Sequence, residues 1–343
     1  MHRYFAFGPL GRLVVGLVVS GVCLALALAR VDVAQTIASL LHVDWRFMAL
    51  GVGALLASFL ILALRWRVLL ASAAPVPVRD TLSGIMVGYL VNTILPLRVG
   101  EFARLGLVAR RHRLNGGFVL GTIVLERTLD LLAVLALVAA PALLADVSEA
   151  VRIAIAAAGS GTLIVFIVLV CLSRGHSKFD DVGRRVPGFV PKWLVEKLTR
   201  TLIRFVDGLS ALRDRRRLVS ALALSIGAWL VAGLASVFWI IAFHFSIPWY
   251  AGFLVLGLVN LGGAIPSSPG AIGVYDYLAV LALSAWGTDK SAALAYALTT
   301  HAVNILINIV IGSGYLAREG LTLRAIPGLA IRQERPRETV STG

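Results

Sequence analysis

Six ionisable side chains, Arg98, Glu101, Arg104, Glu126, Arg127 and Asp130, crowd into a stretch that is otherwise rich in apolar residues. Guanidinium groups present a rigid fork of donors that matches phosphate or carboxylate. Carboxylates can pair with them, hold a cation or take up a proton. Glu126 and Asp130 stand four apart and share a helix face, while Arg127 and Asp130 stand three apart and can pair. Two arrangements fit these spacings. One is an ion-pair lock, with Glu126 joined to Arg98 or Arg104. The other is a lining for a charged ligand group, toward which Arg98 and Arg104 point more strongly, because a half-helix N-terminus adds positive potential for an anion. Glu101 falls on the first turn after a break at Pro96. There it serves as a dipole-stabilised carboxylate or as the partner of a cationic group or a proton.

A second constellation lies in 257–277, GLVNLGGAIPSSPGAIGVYDY, where Asp276 is the one ionisable group. Asn260 and Pro266 echo Asn92 and Pro96, and the pattern Glu126-Arg127-x-x-Asp130 lines up with Thr300-His301-x-x-Asn304. His301, Asn304 and Asn308 read first as a helix–helix hydrogen-bonding seam, with His301 and Asn304 retained as site candidates alongside Asn92 and Asp276. Pro96, Gly100, Pro266, Pro269, Gly270 and Gly273 are the expected hinges. Proline inside a helix removes a backbone donor and clashes with the preceding turn. No zinc-ligand spacing, phosphate-binding loop or nucleophile elbow is present. The expectation is therefore a protein without metal, cofactor or enzymatic activity of its own. Cys23 and Cys171 both fall in apolar runs and suggest no pairing.

The elements that must position these groups follow from composition. The chain of 343 residues is 59% hydrophobic and only 15% charged, with a mean hydropathy of +0.89. Soluble domains average about 45–50% apolar and about 25% charged. This is the profile of an all-α integral membrane protein. The net charge of +14 sits between apolar runs rather than beside a nucleic-acid motif. It reads as positive-inside topology and attraction to anionic headgroups, not as nucleic-acid binding.

A membrane-spanning helix needs about 20 apolar residues. Candidates are 10–29, 47–64, 116–144, 151–172, 218–243 and 292–316. The first ends in Ala27-Leu28-Ala29, which resembles a signal-peptidase site, but the length of its apolar run favours a retained span. Between them lie broken segments at 81–113 and about 249–286, a basic insertion at 173–217 and a charged tail, 318–343, expected to be disordered. Within the insertion, Leu194, Leu198, Leu202, Phe205, Leu209 and Leu212 recur at helical spacing. This gives an amphipathic helix that rests on the leaflet or packs on the bundle. Arginine-rich connections (65–113, 173–217, the tail) alternate with arginine-poor ones (30–46, 145–150, 244–250, 286–290). Six full crossings satisfy that alternation if each broken segment returns to the side it left. The fold expected is six full transmembrane helices plus two re-entrant hairpins, in inverted repeats 10–144 and 151–317 of a single domain, with both termini cytoplasmic. A broken segment that crosses twice satisfies the loop charges as well. In lipid, backbone groups freed at a break must find partners. Paired breaks in matching halves point to a transporter's binding site.

The stretches Asn92-x3-Pro96-x-Arg98-x-Gly100-Glu101-x2-Arg104, Glu126-Arg127-x2-Asp130 and Pro266-Ser-Ser-Pro269-Gly270-x2-Gly273-x2-Asp276 resemble the flippase-like family named for the transmembrane region of lysylphosphatidylglycerol synthase. The resemblance covers roughly 10–317, and Asp276 stands where that family often has glutamate. It implies movement of a lipid between leaflets of the bacterial cytoplasmic membrane. Substrate classes would be an anionic phospholipid, an aminoacylated lipid, a hopanoid or a polyprenyl-linked lipid. The synthases carry a soluble aminoacyl-transferase domain after the membrane part, so only the membrane function is expected here. Alternatives are a scaffold subunit that partners a lipid-modifying enzyme or a glycosyltransferase, and an intramembrane transferase. The resemblance also allows a homodimer.

Overall fold

A computed structural model describes residues 9–29, 31–95, 99–175, 192–263 and 267–320. Among them are twelve helices and no strand: α1 (Pro9–Leu28), α2 (Val33–Leu41), α3 (Trp45–Leu70), α4 (Val78–Ile94), α5 (Gly100–Arg111), α6 (Gly116–Leu144), α7 (Glu149–Arg174), α8 (Lys192–Gly208), α9 (Arg215–Ala242), α10 (Ala251–Gly262), α11 (Val274–Ser284) and α12 (Lys290–Arg318). Starts are set locally by capping carboxylates and amides. Asp32, Asp44, Asn115, Asp214 and Asp289 each accept backbone N–H groups of the first turn that follows.

Four of the described helices, α3, α7, α9 and α12, are long and apolar enough to cross a membrane, and a fifth span results if the bent pair α1 and α2 counts as one. The expectation of six uniform crossings is met only to that extent. Helix α6 also has the length, with 29 residues, and carries Glu126, Arg127 and Asp130. The arginine-poor connection 30–46 contains α2, started by Asp32 and tied to α12 through Thr36 Oγ1, 3.3 Å from Ser291 O. The amphipathic helix expected in the basic insertion is α8, and its C-terminal part packs on α6. There Gly121 and Gly208 let the backbones touch: a Cβ on either would sit 2.2 Å from a carbonyl oxygen of the other helix. Trp193 and Leu198, on the N-terminal half of α8, are 65% and 60% exposed. Residues 176–191, including much of the polar insertion, and the tail beyond 320 lie outside the described residues.

The bundle has two distinct ends. At the arginine-poor end, Asp44 N donates to Ala242 O (2.9 Å), Asp146 N to Ala285 O (3.1 Å) and Asp32 N to Ser291 Oγ (3.0 Å). At the arginine-rich end, Ser210 and Ser72 hydroxyls meet at 2.8 Å. The centre is the α3–α9 pair, where Trp239 covers Gly51 and its Nε1 donates to Met48 O.

Two antiparallel hairpins fill the space between. In the first, α4 leaves the arginine-rich end and α5 returns to it: Asp80, at the foot of α4, meets Arg111 Nε at 3.2 Å and His112 Nε2 at 3.0 Å, at the foot of α5. Arg111 also reaches Glu319 at the end of α12, 2.6 Å away. In the second, α10 and α11 are rooted at the arginine-poor end, where the rings of Tyr250 and Trp286 lie 5.3 Å apart. The first hairpin packs against α3, α12 and α6; the second packs against α12, α9, α6 and α1.

The arms of the first hairpin cross at glycines. A Cβ on Gly100 would fall 2.0 Å from Gly88 O, so no side chain fits there. Gly100→Ala is expected to destabilise the protein by about 1–3 kcal/mol, the usual cost of overpacking. Gly53→Ala, on an open face of α3 with nothing within 4 Å, should be neutral or slightly stabilising, because alanine is the better helix former. Thermal unfolding in detergent compares the two.

Candidate functional site

The first hairpin's tip is closed by Asn92, whose Oδ1 accepts the Gly100 N–H at 2.8 Å. The turn itself includes Pro96 and Arg98, and both lie outside the described residues, as does Pro266 in the second tip. Just past the turn, α5 places Glu101 and Arg104 against α6, where a network of buried charge begins. Arg104 Nη1 donates to Glu126 Oε1 (2.8 Å), and its Nε lies 2.6 Å from Glu101 Oε2. Arg127 Nη2 donates to the other oxygen of Glu101 (2.7 Å), and Arg127 Nη1 lies 3.5 Å from Asp130 Oδ2. Asp130 is gripped by the guanidinium of Arg65, from α3, and accepts from Trp229 Nε1 of α9 at 2.7 Å. Arg65 also approaches Glu126 at 3.3 Å and donates to Ser225 Oγ at 3.0 Å. The Arg104 guanidinium lies over the Trp66 ring, 4.9 Å from its centroid. Trp66 in turn donates to Thr122 at 3.2 Å.

Three guanidiniums thus balance three carboxylates across α3, α5 and α6. Of the pairings that the spacing allowed, Glu126 with Arg104 is present, and Arg98 lies outside the described residues. Burial grades across the network. The side chains of Arg65, Arg104, Glu126 and Asp130 are sealed, whereas Glu101 and Arg127 keep 25% and 37% of theirs exposed. The Glu101–Arg127 pair is therefore the accessible edge of a closed lock. Hydrogen-bonding capacity remains: Glu126 Oε2, Arg104 Nη2, Arg65 Nε and Arg127 Nε have no hydrogen-bond partner among the described residues. Isolated charges are costly to bury, so spare donors and acceptors beside an accessible edge suit a polar ligand or water better than dry packing.

The second tip uses different chemistry. Gly270 and Gly273 take φ of 68° and 84°, values that glycine adopts freely. Pro269 opens a single 3₁₀ turn that contains Gly270. Asp276 starts α11 by accepting the Gly273 N–H at 2.9 Å. Its other oxygen lies 3.1 Å from His301 Nδ1, on α12, while His301 Nε2 lies 2.8 Å from Gly270 O. Tyr275 stacks on the imidazole, with centroids 4.2 Å apart, and its hydroxyl meets Thr300 at 3.2 Å. Helix α1 buttresses the turn through Ser20 Oγ, which accepts from Ser268 N at 2.8 Å. The two tips touch: a Cβ on Gly270 would stand 3.5 Å from Thr93 O of the first hairpin, and Asn308 Nδ2 lies 3.4 Å from Thr93 Oγ1.

The structure therefore gathers Glu101, Arg104, Glu126, Arg127 and Asp130 into one group and Gly270, Gly273, Asp276 and His301 into another. Asn92 and Gly100 brace the first tip. Asn304, half-buried on α12, makes no side-chain hydrogen bond to either group among the described residues. The echo between Asn92 and Asn260 does not extend to role, because Asn260 Nδ2 bonds only Leu256 O of its own helix, at 2.8 Å. Arg65 was missed. It reads in sequence as the charged close of a span, yet α3 runs on to Leu70 and turns Arg65 inward beside Trp66, Leu62 and Leu69. The signal was that apolar continuation past Arg65 and Arg67.

Removing one member of a buried ion network leaves its partners uncompensated, at a cost of roughly 3–5 kcal/mol. Asp130→Ala should destabilise by that amount. Glu101→Gln, at the exposed edge, should cost no more than about 1 kcal/mol, as for a solvent-accessible pair. Unfolding midpoints in detergent measure both.

Residues 13–312 match the family described as Lysylphosphatidylglycerol synthase TM region. Among curated relatives, the chain is 23% identical over 342 residues to Glycosyltransferase AglD of Haloferax volcanii, a match covering 91% of this chain but 55% of that protein. It is 24% identical over 318 residues to UPF0104 membrane protein PH1989 of Pyrococcus horikoshii, covering 86% of this chain and 94% of the relative. It is 22% identical over 223 residues to UPF0104 membrane protein MJ1078 of Methanocaldococcus jannaschii, covering 65% and 91%. No solved structure matches. With its apolar helices, its paired hairpins and a family match across most of its length, the chain is a multi-pass membrane protein that belongs to the Lysylphosphatidylglycerol synthase TM region family.

Proposed function

We propose that this protein is a flippase-like lipid transporter, in which a polar headgroup passes between the two hairpin tips while the lipid tails stay in the bilayer. The observation that carries this reading is the placement of the tips: hairpins rooted at opposite ends meet at Thr93 and Gly270, beside a charge network with an accessible edge at Glu101 and Arg127. Half-inserted arms that meet inside the bundle can expose the site to one side at a time, as in transporters with discontinuous helices. The sealed pairs, Arg65–Asp130 and Arg104–Glu126, hold the frame; Glu101 and Arg127, with Arg98, engage the charged group. In this reading the arginine-rich end faces the cytoplasm, the halves 10–144 and 151–317 are inverted repeats of one domain, and the protein performs no bond chemistry. Candidate substrates are anionic or aminoacylated phospholipids, hopanoids and polyprenyl-linked lipids.

A second reading is favoured by the similarity to Glycosyltransferase AglD over nearly the whole of this chain. In it, the protein is the membrane partner of a lipid-modifying or glycosyl-transferring enzyme. Deleting 176–190 separates the two: a scaffold loses its partner, and a transporter keeps moving lipid.

Protein in liposomes should move headgroup-labelled phosphatidylglycerol between leaflets faster than protein-free vesicles. Glu101→Gln and Arg127→Gln should each slow that movement about tenfold, on the scale of one lost charge-assisted hydrogen bond, without a matching loss of unfolding temperature. Wild-type rates in both variants would remove these residues from the mechanism. Mass spectrometry of lipids that co-purify with the protein identifies the natural headgroup.

A further inference from the structure

Away from both tips, at the arginine-rich end, the turn after α3, the loop between α5 and α6, the C-terminal part of α8 and the turn before α9 enclose an open cavity of about 480 Å³. Three guanidiniums line it, from Arg113, Arg204 and Arg213. Among the described lining residues the opposing carboxylate is Asp207, 3.7 Å from Arg204. Arg113 and Arg213 make no ion pair among the described residues. Asn115, the N-cap of α6, also lines the cavity, so the positive end of a 29-residue helix opens into it. The walls are fixed. Gly117 brings the start of α6 to within 3.1 Å of Thr201 O and Arg204 Cβ, measured from where its own Cβ would be. The contact between Ser210 and Ser72 holds the floor.

We propose that this cavity binds the phosphate of an anionic lipid headgroup. Converging guanidinium forks match phosphate oxygens, and orphan N–H groups at a helix start add donors along the same direction. Basic pockets between helices at the charged face of a membrane protein are suited to anionic headgroups. A lipid is favoured over free phosphate by the neighbouring wall. Helix α8 exposes Trp193 and Leu198 beside the exposed cations Arg200 and Arg204, the mixture of an interfacial helix that meets acyl chains and headgroups together. The site is separate from the hairpin tips and does not rest on the transport reading. It would hold α8 and α6 in register with the leaflet surface.

Arg113 offers a clean test, because its φ of 53° lies in the left-handed region, which glycine adopts without strain. Arg113→Gly therefore removes a guanidinium while suiting the backbone. Short-chain phosphatidic acid, short-chain phosphatidylcholine and inorganic phosphate are titrated against the full-length protein in detergent, with bound adducts counted by native mass spectrometry. Phosphatidic acid should bind more tightly than either other probe. Arg113→Gly and Arg213→Gln should each weaken it about tenfold, the size of one charge-assisted hydrogen bond. Asp207→Asn should tighten it, a change that misfolding cannot mimic. Removing Arg215 and Arg216 together (both to Gln), exposed charges outside the cavity, should leave it unchanged. Equal weakening by that control pair would reduce the effect to general surface charge and overturn the site. Inorganic phosphate binding as tightly as the lipid would overturn the lipid assignment.

Discussion

The buried network of Arg65, Arg104 and Arg127 against Glu101, Glu126 and Asp130 is the constraint on which the rest of the architecture depends. Each charge placed inside an apolar bundle costs about 2.5–3.5 kcal/mol on insertion scales. None can be left alone, and the balance of three against three closes only when α3, α5 and α6 are brought together. The network therefore restrains α5, a helix of only 12 residues, alongside the burial of Ala103, Leu105, Leu107, Val108 and Ala109. Trp66 beneath Arg104, and Ser225 and Trp229 around Arg65 and Asp130, extend the same restraint into α3 and α9, the central pair of the bundle.

What could be read from the sequence was chemistry concentrated on single helices; what could not was chemistry assembled between distant ones. Glu126, Arg127 and Asp130 announce themselves because charges in the middle of an apolar run have no ordinary explanation. The breaks near Pro96 and Pro269 are visible because proline and glycine interrupt runs that would otherwise continue. Arg65 gave no such signal, since arginine beside Arg67 looks like the usual charged end of a span. Its role depends on α3 continuing five residues further, to Leu70. The tie between Asp80, Arg111, His112 and Glu319 was equally hidden, because its members lie far apart in sequence and each is unremarkable at a helix end. Helix α2 has only nine residues, and although Asp32 caps it locally, its tie to α12 through Ser291 joins residues far apart in sequence.

The family relation and the geometry bear on different questions. The match across residues 13–312 places the chain among membrane proteins. The chain covers 55% of AglD, so that relative's named activity belongs to a longer protein. The hairpins bear on mechanism instead. At about 1.5 Å per residue, the 12 residues of α5 and the 11 of α11 extend roughly 18 and 16 Å, well short of the ~30 Å hydrocarbon layer. Single helices of that length do not reach across the layer, and every backbone group freed at the tips needs a partner.

The two tips meet that need by different means. At the first, Asn92 satisfies the backbone and the neighbouring side chains are ionic, with spare hydrogen-bonding atoms on Arg104, Arg127 and Glu126. At the second, left-handed glycines, Ser20 and the His301 contact with Gly270 O satisfy a turn whose one carboxylate, Asp276, is already committed to Gly273 and His301. The ionic groups with spare hydrogen-bonding atoms therefore gather at the first tip. The second tip closes on itself and meets the first at Thr93 through a backbone approach rather than a charge.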